Sequence, residues 1–241
     1  MNRIFEDTYN LRAADFDRWS RLRPAAIMDL FQDIAGRHAN DLGVGLKSLW
    51  EKKIVWVLVK LRFRILGEAA MYQRVKLRTW PLPPDRVGYR REYLILDEND
   101  NIIVEGSSEW VHMDFESRRI VPAGDIYPLS EYYDRVNFTE RFPRLRSFEP
   151  TEEIYRILPP WSDFDMNGHV NNTKYPNFVL DAVCPGENEA LSSLSIEYHR
   201  EVLPGEAISI VCRREGAQLM AKGENSLGEK MFSCRMEFDL K

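Results

Sequence analysis

The stretch Asp163-Phe164-Asp165-Met166-Asn167-Gly168-His169-Val170-Asn171-Asn172 sets a carboxylate, a carboxamide and an imidazole at alternate positions, 165, 167 and 169. It stands just ahead of an apolar helical pattern. Asp and Asn before a helix ordinarily cap the free N–H groups of its first turn, and Asp163 and Asn172 read that way. Capping does not explain Asp165, Asn167 and His169 together. They supply a proton acceptor, an amide donor and an imidazole, beside a helix N-terminus that favours developing negative charge. The pattern points to acid–base chemistry. His38, His112 and His199 lack such company and read as structural or surface residues.

These residues must be positioned by something, and the chain carries the positioning elements twice. Asp15-Phe16-Asp17 repeats the triplet Asp163-Phe164-Asp165, and the same ungapped offset pairs Asp33 with Asp181. In the first copy Ile27, Leu30, Phe31 and Ile34 fall at the spacing of a helix with one buried face; in the second, Tyr175, Phe178, Val179 and Ala182 do so. Pro176 lies inside that second helix and is expected to kink or loosen its first turns. Strand patterns follow each helix. Val57, Val59, Leu61, Phe63 and Ile65 alternate with mostly polar neighbours, and Leu194 to Tyr198 begins the corresponding run. Both runs reach a Gly-Glu-Ala turn, at 67–69 and at 205–207, and both copies then carry a hairpin, turning at 97–101 and near 225–228. The last strand sets Phe232, Cys234, Met236 and Phe238 on one face.

Each copy thus reads as a strand, a long helix and an antiparallel sheet, an α+β class. So apolar a helix has nowhere better to lie than across the concave face of its sheet, which is the hotdog arrangement in tandem. The expected boundaries are 1–128 for the first half, 129–150 for a linker and 151–241 for the second half. The two halves differ in their polar positions. Asn167 faces Trp19 and His169 faces Arg21; counted back from the Gly-Glu-Ala turns, Glu201 faces Phe63. Only Asp165 keeps its counterpart, Asp17. That asymmetry suggests a duplicated enzyme in which one site has been given over to binding. Met28, Phe31, Trp56, Phe63 and Trp110 read as core or as the wall of an apolar slot.

At 241 residues the chain buries roughly three-quarters of its unfolded surface and needs no staples. Three cysteines, without metal-like or C-x-x-C spacing, suggest free thiols in a reducing compartment, and the cytoplasm is expected. The longest apolar run, Ile54 to Val59, is far short of a membrane span, and no leader pattern opens the chain. A net charge of −5 disfavours nucleic acid as the main partner. No Walker loop, nucleophile elbow, metal motif or dinucleotide fingerprint is present, so no cofactor and no metal are expected.

The segment from Asp163 to Asn172, followed by Tyr175, resembles the signature of acyl-acyl-carrier-protein thioesterases. Glu197-Tyr198-His199-Arg200-Glu201 is similar to a later element of that family, as are Asp41 to Gly45, Trp56-Val57 and Ser108 to Val111 in the first half. The resemblance covers nearly the whole chain. It implies a double hotdog fold and hydrolysis of the thioester between a fatty acyl chain and the phosphopantetheine arm of acyl carrier protein. It also implies an acyl pocket largely in the N-terminal half and catalytic positions at Asp165, Asn167, His169 and Glu201. Plant members carry a transit peptide that is not seen here, and a cysteine where this chain has Val202. On this basis Glu201 activates water with His169 as proton partner, Asn167 polarises the carbonyl and Asp165 orients its neighbours. The division between Asp165 and Glu201, and direct attack by one carboxylate, stay open. So do an acyl-CoA substrate, a non-catalytic binding module and a homodimer. Neither nucleic acid nor a membrane is expected as partner; acyl carrier protein is, received by Arg18, Arg21 and Arg23, by Arg118 and Arg119, or by Arg141, Arg144 and Arg146.

Overall fold

Helix α1 (Pro24–Asp41) forms where the sequence repeats apolar residues every three or four positions, and Ile27, Met28, Phe31 and Ile34 of its buried face are each at most 1% exposed. Burial of each such side chain contributes about 2 kcal/mol. Pro24 stands at the first position, where its missing N–H breaks no helical bond. Gly43, with φ of 72°, ends the helix and lets the Val44 N–H return to the Ala39 carbonyl at 2.9 Å. The structure is a computed structural model and describes residues 3–86, 88–124, 126–143, 145, 148–149 and 155–240. Two compact units result, Met1–Leu22 with Ile27–Arg141, and Arg23–Ala26 with Phe142–Lys241.

The first unit contains β1 (Phe5–Asn10), most of α1, the short α2 (Leu46–Trp50), β2 (Ile54–Ile65), β3 (Arg74–Pro81), β4 (Tyr89–Leu96), β5 (Ile102–Asp114) and β6 (Arg119–Val121). Its strands are antiparallel in the order β1-β3-β4-β5-β2, with β6 on β5. Helix and sheet meet where Phe31 stacks on Tyr93 of β4 at 4.4 Å. Gly106 makes room for that ring, since a Cβ there would stand 2.2 Å from Phe31 Cε2. Strand β2 departs from the expected alternation. A bulge between Leu58 and Lys60 shifts its phase, so Leu58, Leu61 and Phe63 are buried while Val57 and Val59 are half-buried.

The second unit contains β7 (Tyr155–Ile157), α3 (Tyr175–Val183), β8 (Glu189–Tyr198), β9 (Ile208–Glu215), β10 (Gln218–Glu224) and β11 (Lys230–Leu240), antiparallel in the order β8-β11-β10-β9-β7. Helix α3 has nine residues, half the length of α1, and Cys184 ends it in the left-handed region with φ of 45°. Pro176 does not kink it. The helix begins at Tyr175, so the proline falls in the first turn, where no backbone donor is required. On β11, Phe232, Cys234, Met236 and Phe238 are all buried, as their spacing predicts.

The segment after β6 is tied to the outer face of the first sheet. Asn137 donates its N–H to Glu92 Oε2 at 2.9 Å and its amide to the Tyr93 and Gly106 carbonyls. Phe138, 3% exposed, lies under the guanidinium groups of Arg62 and Arg64 at 4.2 and 4.5 Å. Arg144 and Arg146 lie outside the described residues.

Two buried titratable groups of this unit respond oppositely to pH. Burial pushes the Glu92 carboxyl up, and burial, with Lys52 adding to it, pushes the His112 imidazole down to about 4. Because unfolded His112 binds a proton that the folded form refuses, its contribution is present above about pH 6.5 and is lost as pH falls toward 4. At about 1.4 kcal/mol per pKa unit, the loss amounts to about 2–3 kcal/mol. Urea titrations at pH 7 and pH 4.5 should show a stability difference that shrinks in His112→Leu; an unchanged difference would remove His112 from the account.

Candidate functional site

After β7 the chain makes one 3₁₀ turn, Trp161–Asp163, then a tight loop closed by a bridge between Phe164 and Val170. Inside it the Asp165 N–H meets the His169 carbonyl at 3.0 Å and the Gly168 N–H returns to the Asp165 carbonyl at 3.0 Å. Gly168 takes φ of 83°, a conformation that favours glycine. The Asp165 carboxylate completes the turn. Its Oδ1 accepts the Asn167 N–H at 2.8 Å and its Oδ2 the Asn167 side-chain amide at 3.3 Å. His169 Nδ1 stands 3.9 Å from Asp165 Oδ1, beyond hydrogen-bond length, and 3.2 Å from the Val170 carbonyl. A bond to that carbonyl requires the proton on Nδ1, which leaves Nε2 as the basic nitrogen.

Glu201 reaches this loop through the backbone. The Val170 N–H donates to the Val202 carbonyl at 3.0 Å, so the residues beside His169 and Glu201 are hydrogen-bonded to each other. Tyr175, the first residue of α3 and 2% exposed, packs edge-on against Phe178, Tyr198 and Phe232. Burial pushes its phenol up, opposed by the backbone N–H of Val202 and reinforced by the charges of Glu201 and Asp165. The Tyr175 hydroxyl, bonded to the Val202 N–H, is therefore a further polar group at the residue that follows Glu201. In the sequence Tyr175 stands in the signature segment and on the apolar helical stripe, and neither reading assigns its hydroxyl a role. A cavity of about 460 Å³ opens on the loop, lined by Leu158, Trp161, Phe164, Asp165, Gly168 and Pro204 among others. The loop and Glu201 can move a proton and donate to a developing oxyanion.

The five apolar candidates divide. Met28, Phe31 and Phe63 are at most 1% exposed in the first unit's core. Trp56 and Trp110 are half-buried and meet edge-on at 6.4 Å beside Tyr89 and Tyr127. The counterpart loop of the first unit repeats the backbone closely. A bridge joins Phe16 and Leu22, the Asp17 N–H meets the Arg21 carbonyl at 2.8 Å, and the Ser20 N–H returns to the Asp17 carbonyl at 3.0 Å. Here Asp17 Oδ1 accepts two N–H groups, from Trp19 at 2.8 Å and Arg21 at 2.9 Å. Architecture is kept while the amide and imidazole are gone. Among the described residues no three His, Cys, Asp or Glu side chains gather as a metal site, and no helix is long and apolar enough to cross a membrane.

Comparison with known proteins bears on both halves. Residues 2–127 match the family model of the acyl-ACP thioesterase N-terminal domain, and residues 149–238 that of the C-terminal domain. The palmitoyl-acyl carrier protein thioesterase of Cuphea hookeriana is 27% identical over 221 residues, covering 82% of this chain and 52% of its own. The oleoyl-acyl carrier protein thioesterase of Coriandrum sativum is 27% identical over 197 residues, covering 73% and 53%. This chain spans about half the length of these curated relatives. Among solved structures, an acyl-ACP thioesterase from Bacteroides thetaiotaomicron superposes with a TM-score of 0.86 at 22% identity, covering 98% of each chain. The 12:0-ACP thioesterase from Umbellularia californica gives 0.85 at 20% identity, covering 100% and 99%. These likenesses carry the fold, a double hotdog with a helix on an antiparallel sheet in each half.

The two loops make a stability comparison possible. Asp17 satisfies two backbone donors and Asp165 one, so Asp17→Ala should destabilise the protein by about 1–2 kcal/mol and Asp165→Ala by less. Equilibrium urea unfolding of the two variants checks the order; the reverse order would contradict the assigned turn roles.

Proposed function

Because the chain belongs to the acyl-ACP thioesterase family, we propose that it hydrolyses the thioester of fatty acyl-acyl carrier protein, releasing free fatty acid and the holo carrier. The observation that carries this reading is the polar loop of the second unit, which places Asp165, Asn167 and His169 together and is bonded to the segment bearing Glu201. Glu201 takes a proton from a water whose oxygen attacks the carbonyl carbon, and the C=O electron pair moves onto oxygen. Asn167, with one amide hydrogen turned to Asp165, offers the other to that oxyanion. Collapse re-forms the C=O bond and breaks the C–S bond. The sulfur leaves as a thiol, taking the proton relayed through His169. Asp165 holds the loop that presents both side chains.

No cysteine is placed to replace this route. Val202 is fully buried, Cys184 caps α3, and Cys212 and Cys234 lie in the sheet with the Cys234 thiol pushed up by burial. Three free cysteines suit a reducing compartment such as the cytoplasm.

Kinetics with acyl carrier protein substrates test the assignment. Glu201→Gln should lower kcat by about 10²–10⁴-fold and Asp165→Asn should lower it strongly. Asp17→Asn, and the variant with all three cysteines changed to serine, should each stay within a few-fold of wild type if folded. A cysteine-trapped acyl intermediate, or a Glu201→Gln variant near wild type, would overturn the mechanism.

Carrier recognition gives a separate test. Acyl carrier protein is acidic, and Arg18 with its neighbours Arg21 and Arg23 borders the first-unit loop, the Arg18 guanidinium standing 4.6 Å above the Trp19 ring. The KM for acyl carrier protein substrates should rise several-fold between about 50 and 300 mM salt, and the KM for the same acyl group on CoA should rise less. Equal salt dependence for both would remove the electrostatic docking.

A further inference from the structure

Glu201 stands where the chain of the second unit has left its sheet. Strand β8 ends at Tyr198, and residues 199–203 belong to no helix or strand, so no sheet ladder holds the main chain that carries the Glu201 side chain. Before it, the His199 and Arg200 N–H groups both reach the Met231 carbonyl, at 2.8 and 3.2 Å. After it comes Val202, with no exposure, and both of its main-chain groups are engaged. Its carbonyl accepts the Val170 N–H at 3.0 Å, and its N–H donates to the Tyr175 hydroxyl. Val202 thereby joins three segments: the loop of Asp165, Asn167 and His169, the start of α3, and the residue next to Glu201. A buried N–H off the sheet needs an acceptor, and leaving it without one is costly.

Packing does not account for the hydroxyl. Tyr175 meets Phe178, Tyr198 and Phe232 edge-on at ring separations of 5.9, 5.5 and 5.1 Å, contacts that a phenyl ring would make as well. A buried hydroxyl is kept only with a partner. Burial and the charges of Glu201, Asp165 and Glu206 push the phenol up, so the oxygen that accepts from Val202 belongs to a neutral group. The duplication supplies a comparison. At the ungapped offset that pairs Asp17 with Asp165, Tyr175 faces Ile27, which is unexposed and has no hydroxyl. Counted back from the Gly-Glu-Ala turns, Val202 faces Arg64, which lies inside β2 and pairs with Glu105 of β5. In the first unit the corresponding main chain stays in the sheet and needs no side-chain acceptor. In the second it leaves the sheet, and a hydroxyl stands opposite it, in the half that keeps the amide, the imidazole and the second carboxylate.

We propose that Tyr175 is a positioning residue for the hydrolysis, its hydroxyl fixing, through the Val202 N–H, where the Glu201 carboxylate stands relative to the polar loop. This rests on the reading of the chain as a thioester hydrolase in which Glu201 takes a proton from water. The phenol acts through one main-chain bond, one residue from the base, rather than on the reacting atoms. Attack requires a water within hydrogen-bond reach of the carboxylate, and misplacement by about 1 Å costs about 10²-fold in rate. Without the hydroxyl the Val202 N–H is left buried and unpaired. The segment then shifts toward another acceptor and carries Glu201 with it.

Tyr175→Phe keeps the ring and deletes the oxygen. With a fatty acyl thioester of acyl carrier protein its kcat should fall by about 10–100-fold, with KM within about threefold of wild type. A double-mutant cycle separates positioning from a merely structural role. In the Glu201→Gln background, where no base is left to place, Tyr175→Phe should change kcat by less than about twofold. An equal loss in both backgrounds would overturn the proposal, as would a wild-type kcat in Tyr175→Phe. Amide hydrogen exchange followed by NMR gives a readout apart from turnover: the Val202 amide should exchange at least about tenfold faster in Tyr175→Phe, and an unchanged rate would remove the bond and the proposal with it. If Tyr175→Phe does not fold, a chain carrying an ester in place of the Val202 amide deletes the donor and keeps the phenol. It should show the same loss and the same dependence on Glu201, and a wild-type kcat there would overturn the proposal. Absence of hydrolysis of every thioester by the folded wild type would instead refute the hydrolase reading, and the role in hydrolysis would fall with it.

Discussion

The contact on which the site depends is a short one, the Asp165 carboxylate accepting the N–H of Asn167 two residues along its own loop. A charged acceptor close to its donor in sequence needs little ordering of the chain to form, and its bond is stronger than that between neutral partners. With the main-chain closure from Asp165 to His169 it fixes where the amide and the imidazole can stand. The same closure at Asp17 persists although Trp19 and Arg21 replace the amide and imidazole. Turn geometry and chemistry are therefore separable, and the carboxylate belongs first to the turn. A group engaged in holding its own loop is poorly placed to take a proton from water as well. The proposed division gives that step to Glu201, which comes from a different segment and meets the loop through the Val170–Val202 bond.

Around that loop the fold supplies rigidity mainly through aromatic packing. Tyr175 anchors the start of α3 against Phe178, Tyr198 and Phe232, and the Tyr198 hydroxyl donates to the Asn172 carbonyl at 2.8 Å, tying the residues between loop and helix to the sheet. A nine-residue helix has little stability of its own, so its position comes from this packing. In the first unit the longer α1 is held by Phe31 over Gly106 and by the bond between His38 and Arg91. That sheet pairs its cations with acids on the outer face, while Arg91 within is hydrogen-bonded to His38, Thr79 and Tyr127.

The duplicated helix-and-sheet pattern, the hairpin positions and the three-residue polar signature were legible in the sequence because each depends on local rules. Helical and strand periodicities follow from backbone geometry, turn residues from their tolerance of tight conformations, and the loop from side chains that bond within five residues of themselves. The repeated Asp-Phe-Asp triplet even carried the equivalence of the two loops.

Other features were decided only by tertiary structure. The bulge at Leu58 and Lys60 reflects how β2 must match β5, and no pattern within β2 announces it. Pro176 acquires its meaning from where α3 begins. His112 reads in the sequence only as a structural or surface residue, and nothing there singles out Arg91 or Glu92, since alternation tells which face a residue takes but not what waits on it. Their burial, the absence of an acid beside Arg91 among the described residues and the solitary Nε2 of His112 arise from segments tens of residues apart coming together. Short-range bonds are written in neighbouring residues; desolvation of a charged or polar group is a sum over everything packed around it, and only the folded chain performs that sum.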